Sequence, residues 1–224
     1  MSILLRIDAS ARQNRSLSRD LGDAFITAWR NHHPRDSVIL RDVGLMPPPP
    51  ISEDWIAAAF TPEQERSEDQ LALLALSEEM IEEVTQADII VITTPMYNYG
   101  MPTALKAWVD QVVRINRTFT FDLARGDYPL EPILSGKTLV VLTSTGEFGF
   151  APGYEREHMN HLVPHLKTVS HYLGVVRHYH VGIEYQEFGD ARHQLSIKEA
   201  HAALPMLVDR IARDIGAQDE ASAA

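Results

Sequence analysis

Pro95-Met96-Tyr97-Asn98-Tyr99-Gly100-Met101-Pro102-Thr103-Ala104-Leu105-Lys106 is the stretch on which the fold turns. It follows an apolar run, Asp88-Ile-Ile-Val-Ile-Thr-Thr94, and opens an amphipathic segment over residues 102–115. Strand, tight polar-aromatic loop and helix in succession present backbone amides to a flat ligand at the end of a sheet strand. Pro102 suits the first helical position, where its missing N–H would have lacked a partner anyway. Two further loops repeat the arrangement. Residues 3–7, apolar but for Arg6, lead into Asp8-Ala-Ser-Ala-Arg-Gln-Asn-Arg-Ser-Leu-Ser18, and residues 138–142 lead into Thr143-Ser-Thr-Gly-Glu-Phe-Gly149. Three loops, each after a short apolar strand, outline a ligand site.

Outward from these loops, strand and helix alternate along the chain. Leu17, Leu21, Phe25 and Trp29 recur at helical spacing, which predicts a helix over 16–32 capped by Ser16 or Ser18. Strands are expected at 36–41, 88–93, 137–143 and 175–184. Helices are expected at 52–60, 62–86, 102–115, 155–173 and 196–215. The proline run 47–50 is a stiff extended spacer. Residues 116–136 form an excursion with a small hairpin, and 216–224 read as a disordered tail. Five short apolar strands alternating with helices predict an α/β fold: a doubly wound, five-stranded parallel sheet with helices on both faces. Ligand loops after the first, third and fourth strands match the known doubly wound strand order 2-1-3-4-5. No repeat or long linker divides the chain, so residues 1–224 are expected to be one domain.

Composition narrows the function. The chain has 224 residues and a formal net charge of −11, which argues against a nucleic-acid partner because phosphate neutralisation needs a basic face. There is no cysteine, so disulfides, thiolate catalysis and Cys-ligated metals are excluded. The N-terminus is too short and polar for a signal peptide and no segment approaches a membrane span, which leads us to expect a cytoplasmic protein.

Neither G-x-G-x-x-G nor G-x-x-x-x-G-K-[ST] occurs after the first strand, so the dinucleotide and P-loop fingerprints are missing. Ser10, Arg12, Ser16 and Ser18 lead instead into a helix N-terminus, a donor set suited to a terminal phosphate monoester. For Ser16 and Ser18 the alternative is simple capping. His158, His161 and His165 fall at i, i+3 and i+7 of the helix expected over 155–173. That spacing suits a metal or, more plainly, an amphipathic face. Phe119, Phe121 and Tyr128 read either as core satellites or as walls of an aromatic pocket. Trp108, Lys106 and Asp110 are expected at an interface or in solvent, and His178 and His180 at the core edge.

Ser10-x-Arg12-x-x-x-Ser16-x-Ser18, the stretch from Pro95 to Lys106, and Thr143-Ser-x-Gly146 together resemble the FMN-dependent NADH-azoreductases, a group of flavodoxin-like quinone reductases. The likeness spans nearly the whole chain in order and spacing. It implies a homodimer with an FMN in each of two interfacial sites, and ping-pong transfer of two electrons from NADH or NADPH to quinones or aromatic azo compounds. Carried over by position, it implies that Ser10, Ser16 and Ser18 hold the FMN phosphate, with Arg12 and Leu17 in the same loop. Pro95, Met96, Tyr97, Asn98 and Tyr99 would line the ring. Ser144, Thr145, Gly146 and Glu147 would face its pyrimidine edge or the ribityl chain. The flavin carries the chemistry, so no catalytic side chain is expected. The third loop departs from the family, which usually reads Thr-Ser-Arg-Gly-Gly where this chain has Thr143-Ser-Thr-Gly-Glu. Loss of a cation beside the ring, and gain of Glu147, lead us to expect a lower flavin potential than in relatives that keep the arginine.

Overall fold

The computed structural model describes the backbone of residues 1–223 and the side chains through residue 217. In chain order the elements are β1 (Ile3–Asp8), α1 (Leu17–His32), β2 (Ser37–Asp42), α2 (Glu53–Phe60), α3 (Glu68–Gln86), β3 (Ile89–Pro95), α4 (Thr103–Val112), β4 (Phe119–Phe121), β5 (Leu130–Pro132), β6 (Lys137–Ser144), α5 (Val163–Ser170), β7 (Val175–Ile183) and α6 (Ala191–Ala223). The main sheet is ordered β2-β1-β3-β6-β7, with every neighbouring pair parallel. With the β4–β5 hairpin set aside, this is the expected 2-1-3-4-5 order. That hairpin is antiparallel and occupies the excursion anticipated at 116–136.

Strand side chains alternate between two cores, as the two-residue period requires. Leu5, Ile7, Ile90, Ile92, Leu139 and Val141 pack with residues of α3, α4 and α5. Leu4, Ile89, Val91, Val140 and Leu142 pack with Phe25 and Trp29 of α1 and with Leu204 and Val208 of α6. Every residue of β3 and β6 is buried, which is why both read as unbroken apolar runs rather than alternating ones. Trp108 is fully buried in the first core, contrary to the interface or solvent position expected for it. Lys106 and Asp110 pair with each other one turn apart on α4.

Local chemistry corrects several boundaries. The helix expected over 62–86 breaks after a short 3-10 turn, Glu63–Glu65. It restarts at Ser67, whose hydroxyl accepts from Gln70 N while Gln70 Oε1 accepts from Ser67 N, a capping box. Pro102 stands one position ahead of α4, as its N-cap residue. The helix expected over 155–173 is replaced by the turn Glu157–Met159, α5, and the turn His171–Leu173. Pro164 lies in the first turn of α5, and Asn160 Oδ1 accepts from Leu162 N and Val163 N at 3.1 Å each. Both signals start a helix there. His158, His161 and His165 therefore do not share one helical face. α6 runs beyond the expected span, with Pro205 inside it. The tail expected at 216–224 falls mostly within the printed bounds of α6, in a stretch of alanines and other tolerant residues. Its side chains from 218, and Ala224 altogether, lie outside the described residues. Among the described residues no helix is long and apolar enough to cross a membrane.

Candidate functional site

The C-terminal ends of β1, β3 and β6 lie side by side at one rim of the sheet. After β1 the chain turns into α1, and Ser16 caps that helix in extended conformation. The cap bond from Arg19 N to Ser16 Oγ is 3.5 Å long, and Ser18 Oγ stands 3.4 Å from the same oxygen. Both contacts are loose, so the Ser16 hydroxyl stays largely uncommitted. Ser10 Oγ accepts from Arg12 N at 3.2 Å, which leaves the Ser10 proton free to donate. Arg15 is held at φ +65°. Among the described residues neither Arg12 nor Arg15 takes part in an ion pair. Free hydroxyls, two arginines and the N-terminus of a 16-residue helix converge here, an arrangement made for an anion.

Beyond β3, Tyr97 and Gly100 exchange both backbone bonds at 3.0 Å. The residues between them, Asn98 and Tyr99, both have positive φ, 48° and 64°. That is the backbone of a primed two-residue turn made without glycine at its centre. An aromatic residue there costs of order 1–3 kcal/mol, so the surroundings must fix it. Met96 N donates to Ser144 O, and His161 N donates to Tyr99 O, both at 2.9 Å.

Beyond β6, the third loop is clamped by the chain leaving β7. Thr145 N donates to Ile183 O, Gln186 N to Thr145 O and Glu187 N to Gly146 O. A Cβ on Gly146 would sit 2.5 Å from the Glu187 side chain. Thr145 Oγ1 donates to Glu147 O at 2.8 Å. The Glu147 carboxylate accepts from the Tyr99 hydroxyl at 3.1 Å and lies 3.8 Å from Arg156 Nε. That bond to Glu147 pushes the Tyr99 phenol pKa up.

These loops border a shallow, half-open cleft lined by Ser10, Arg12, Arg15, Ser16, Leu17, Pro95, Met96, Tyr97, Ser144, Gly146, Gln186 and Glu187. Most of the residues singled out from sequence are thus brought together. Five are not on the cleft wall. Ser18 is fully buried inside the first turn of α1, Asn98 and Tyr99 sit on the exposed turn tip, and Thr145 and Glu147 point elsewhere. Sequence reasoning missed Arg15, Gln186 and Glu187. Arg15 was visible in the first loop, whereas Gln186 and Glu187 carry no local signal and arrive only because β7 neighbours β6. The donor set fits FMN: hydroxyls, guanidinium groups and a helix N-terminus at one end, exposed backbone and the thioether of Met96 at the other.

A second cavity of about 310 Å³ lies on the other side of Met96, lined by Thr143, Thr145, Phe150, Leu162, His180 and Glu184 among others. His180 Nε2 and Thr143 Oγ1 are 2.9 Å apart. Desolvation by the surrounding protein pushes the His180 pKa down, while the side chain keeps access to solvent.

Residues 2–205 match a family described by its flavodoxin-like fold. The FMN-dependent NADH:quinone oxidoreductase 2 of Colwellia psychrerythraea is 55% identical over 218 residues, covering 94% of this chain and all of that protein. The FMN-dependent NAD(P)H:quinone oxidoreductase 1 of Pseudomonas aeruginosa is 42% identical over 205 residues, covering 91% of this chain and 97% of its own. Among solved structures, an azoreductase from Bacillus anthracis superposes with a TM-score of 0.82 at 18% identity, covering 94% of this chain and 100% of the other. An FMN-dependent NADH-azoreductase from the same species, in complex with FMN, gives 0.78 at 18% identity, with 93% and 100% covered. At that identity the structural likeness speaks for the fold.

Proposed function

We propose that this chain, which belongs to the flavodoxin-like FMN-dependent NADH:quinone oxidoreductases, takes two electrons from NADH or NADPH and passes them to quinones or aromatic azo compounds in a ping-pong cycle. The observation that carries the reading is the cleft itself. Ser10, Arg12, Arg15, Ser16 and the α1 N-terminus gather at one end, and Pro95, Met96, Tyr97, Ser144 and Gly146 at the other. When bound, FMN supplies the redox chemistry. The chain's own work is to hold and orient. Ser10 and Ser16 donate hydroxyl protons to the phosphate, Arg12 and Arg15 neutralise it, and the first turn of α1 adds unsatisfied N–H groups. Pro95, Met96, Tyr97 and Gly146 line the ring, and the turn at Asn98–Tyr99 sets where that wall stands. No side chain is assigned as general acid or nucleophile.

The unit is proposed to be one domain, working in the cytoplasm as a homodimer. Support for the dimer comes from apolar side chains left exposed on the excursion and the β3 turn, among them Phe121, Leu123, Tyr128, Tyr97 and Tyr99. Tyr128 is 85% exposed and Phe121 49%, so neither is a core satellite. A partner covering them would complete an aromatic wall.

Purification without added flavin tests the reading. The expected sample is yellow, releases FMN identified by mass spectrometry, runs at dimer mass in light scattering, and oxidises NADH with a quinone panel on parallel double-reciprocal lines. A colourless chain that takes up no FMN overturns it. A flavin-loaded chain without turnover would instead mark an electron carrier of the flavodoxin kind.

A further inference from the structure

Beneath the first loop lies a buried charge network that the cleft does not touch. Arg19 Nη1 and Nη2 form a two-point pair with Asp42 at 2.6 and 2.7 Å, and Nη1 also reaches Asp8 at 3.2 Å. Asp8 is further held by Arg6, at 2.7 and 3.0 Å, and by Thr93 Oγ1 at 2.7 Å. Arg6, Asp8, Arg19 and Thr93 are all buried. Burial alone would raise the Asp42 pKa, but the Arg19 pair and the Leu45 N–H hold it below the ordinary range. Besides its bonds to Asp23 and Leu45, the network sends one bond into the first loop. Arg19 Nη2 donates to the backbone carbonyl of Ser10 at 2.7 Å.

That single bond has a consequence for the loop. In a trans peptide, C=O and the following N–H point in opposite directions. With the Ser10 carbonyl drawn down onto Arg19, the N–H of Ala11 is turned up, on the side where Ser10 and Arg12 line the cleft. A free peptide could rotate and aim its carbonyl oxygen at a bound anion instead. Gly44 secures the same point from beside it. A Cβ there would stand 2.1 Å from Ser10 O and 2.9 Å from Arg19 Nη2, so only glycine lets the turn after β2 pass.

We propose that Arg19 is a positioning residue for the phosphate of the cofactor: by pinning the Ser10 carbonyl it fixes the Ser10–Ala11 peptide with its N–H, not its oxygen, toward the anion. The assignment rests on the FMN reading above. An arginine serving structure alone would need only its bonds to Asp8 and Asp42. Lysine, with a single ammonium, cannot hold both Asp42 oxygens and Ser10 O in one plane.

The test compares FMN with riboflavin, which lacks the phosphate, by fluorescence quenching of each flavin on apoprotein. Arg19→Lys is expected to raise the FMN Kd about tenfold or more, the scale of one charge-assisted hydrogen bond, and to leave the riboflavin Kd nearly unchanged. Gly44→Ala displaces the same carbonyl by another route and is expected to give the same phosphate-selective loss; it decides the matter if Arg19→Lys does not fold by circular dichroism. Equal losses for both flavins, or wild-type affinities in both folded variants, overturn the assignment. A wild type that binds neither flavin overturns the FMN reading, and this one falls with it.

Discussion

The two ends of the cleft are held by opposite means. At the β1 end, Asp8 sits in a buried network with Arg6, Arg19 and the Thr93 hydroxyl, which half-buried Asp42 joins through Arg19. At the β6 end the loop is braced from outside by a ladder of rings and cations. Phe148 stacks on Tyr185 at 4.5 Å, Phe188 meets both edge-on, Arg156 lies 4.3 Å over Phe148, and Arg192 lies 4.6 Å over Phe188. Buried charges tolerate little movement, because removing one partner strands the rest in a low-dielectric interior. Stacked rings at a surface slide at small cost. On the proposed reading, the end assigned to the phosphate is therefore the stiffer and the end assigned to the ring the more adjustable, which suits one invariant anion and many acceptors.

The largest effect is expected at the rigid end. Asp8→Ala removes the carboxylate shared by two buried guanidinium groups, leaving Arg19 only Asp42 and Arg6 only Asp23 as charge partners, and should lower stability by about 3–5 kcal/mol in denaturant titration. A loss under about 1 kcal/mol would mean that water reaches the network, and the contrast would collapse. At the other end, Phe148→Ala should cost about 1 kcal/mol, with a coupling to Tyr185 of roughly 0.5–1.5 kcal/mol in a double-mutant cycle. Arg192→Gln should cost less still, because its cation–π contacts are exposed.

pH dependence sharpens the comparison from the second cavity. Desolvation pushes the folded pKa of His180 from 6.5 toward about 4, and the solvent access of the side chain limits the shift. Between those values the unfolded chain binds a proton that the folded chain refuses. Stability should therefore fall as pH drops from 6.5 to about 4 and level off below that. His180→Gln should flatten that part of the profile while leaving FMN uptake intact; an unchanged slope would assign it to another group.

The smallest effect concerns the third loop's departure from its relatives. From sequence, Thr145 and Glu147 were expected to lower the flavin potential. Thr145 instead lines the second cavity, and Glu147 is engaged by Tyr99 and Arg156. Thr145→Arg is accordingly expected to leave the potential of bound flavin unmoved in potentiometric titration. A rise would reinstate the sequence-based view.

The strands themselves, the parallel sheet covered on both faces and most of the cleft wall were legible from the chain alone, because each is signalled by short-range chemistry. The apolar runs of β3 and β6, the serines before α1, and the turn between Tyr97 and Gly100 all report local preference. Helix breaks at Ser67 and Pro164 escaped because apolar spacing continues across them while capping bonds interrupt the backbone. Only folding in three dimensions could bring Gln186 and Glu187 to the cleft, turn Thr145 away from it, bury Trp108, and join Arg19 to Ser10 across nine residues. Those outcomes depend on which strands are neighbours and which side of the pleat a residue occupies. No window of sequence contains that information, because the groups that meet lie far apart along the chain and pair only when the sheet closes.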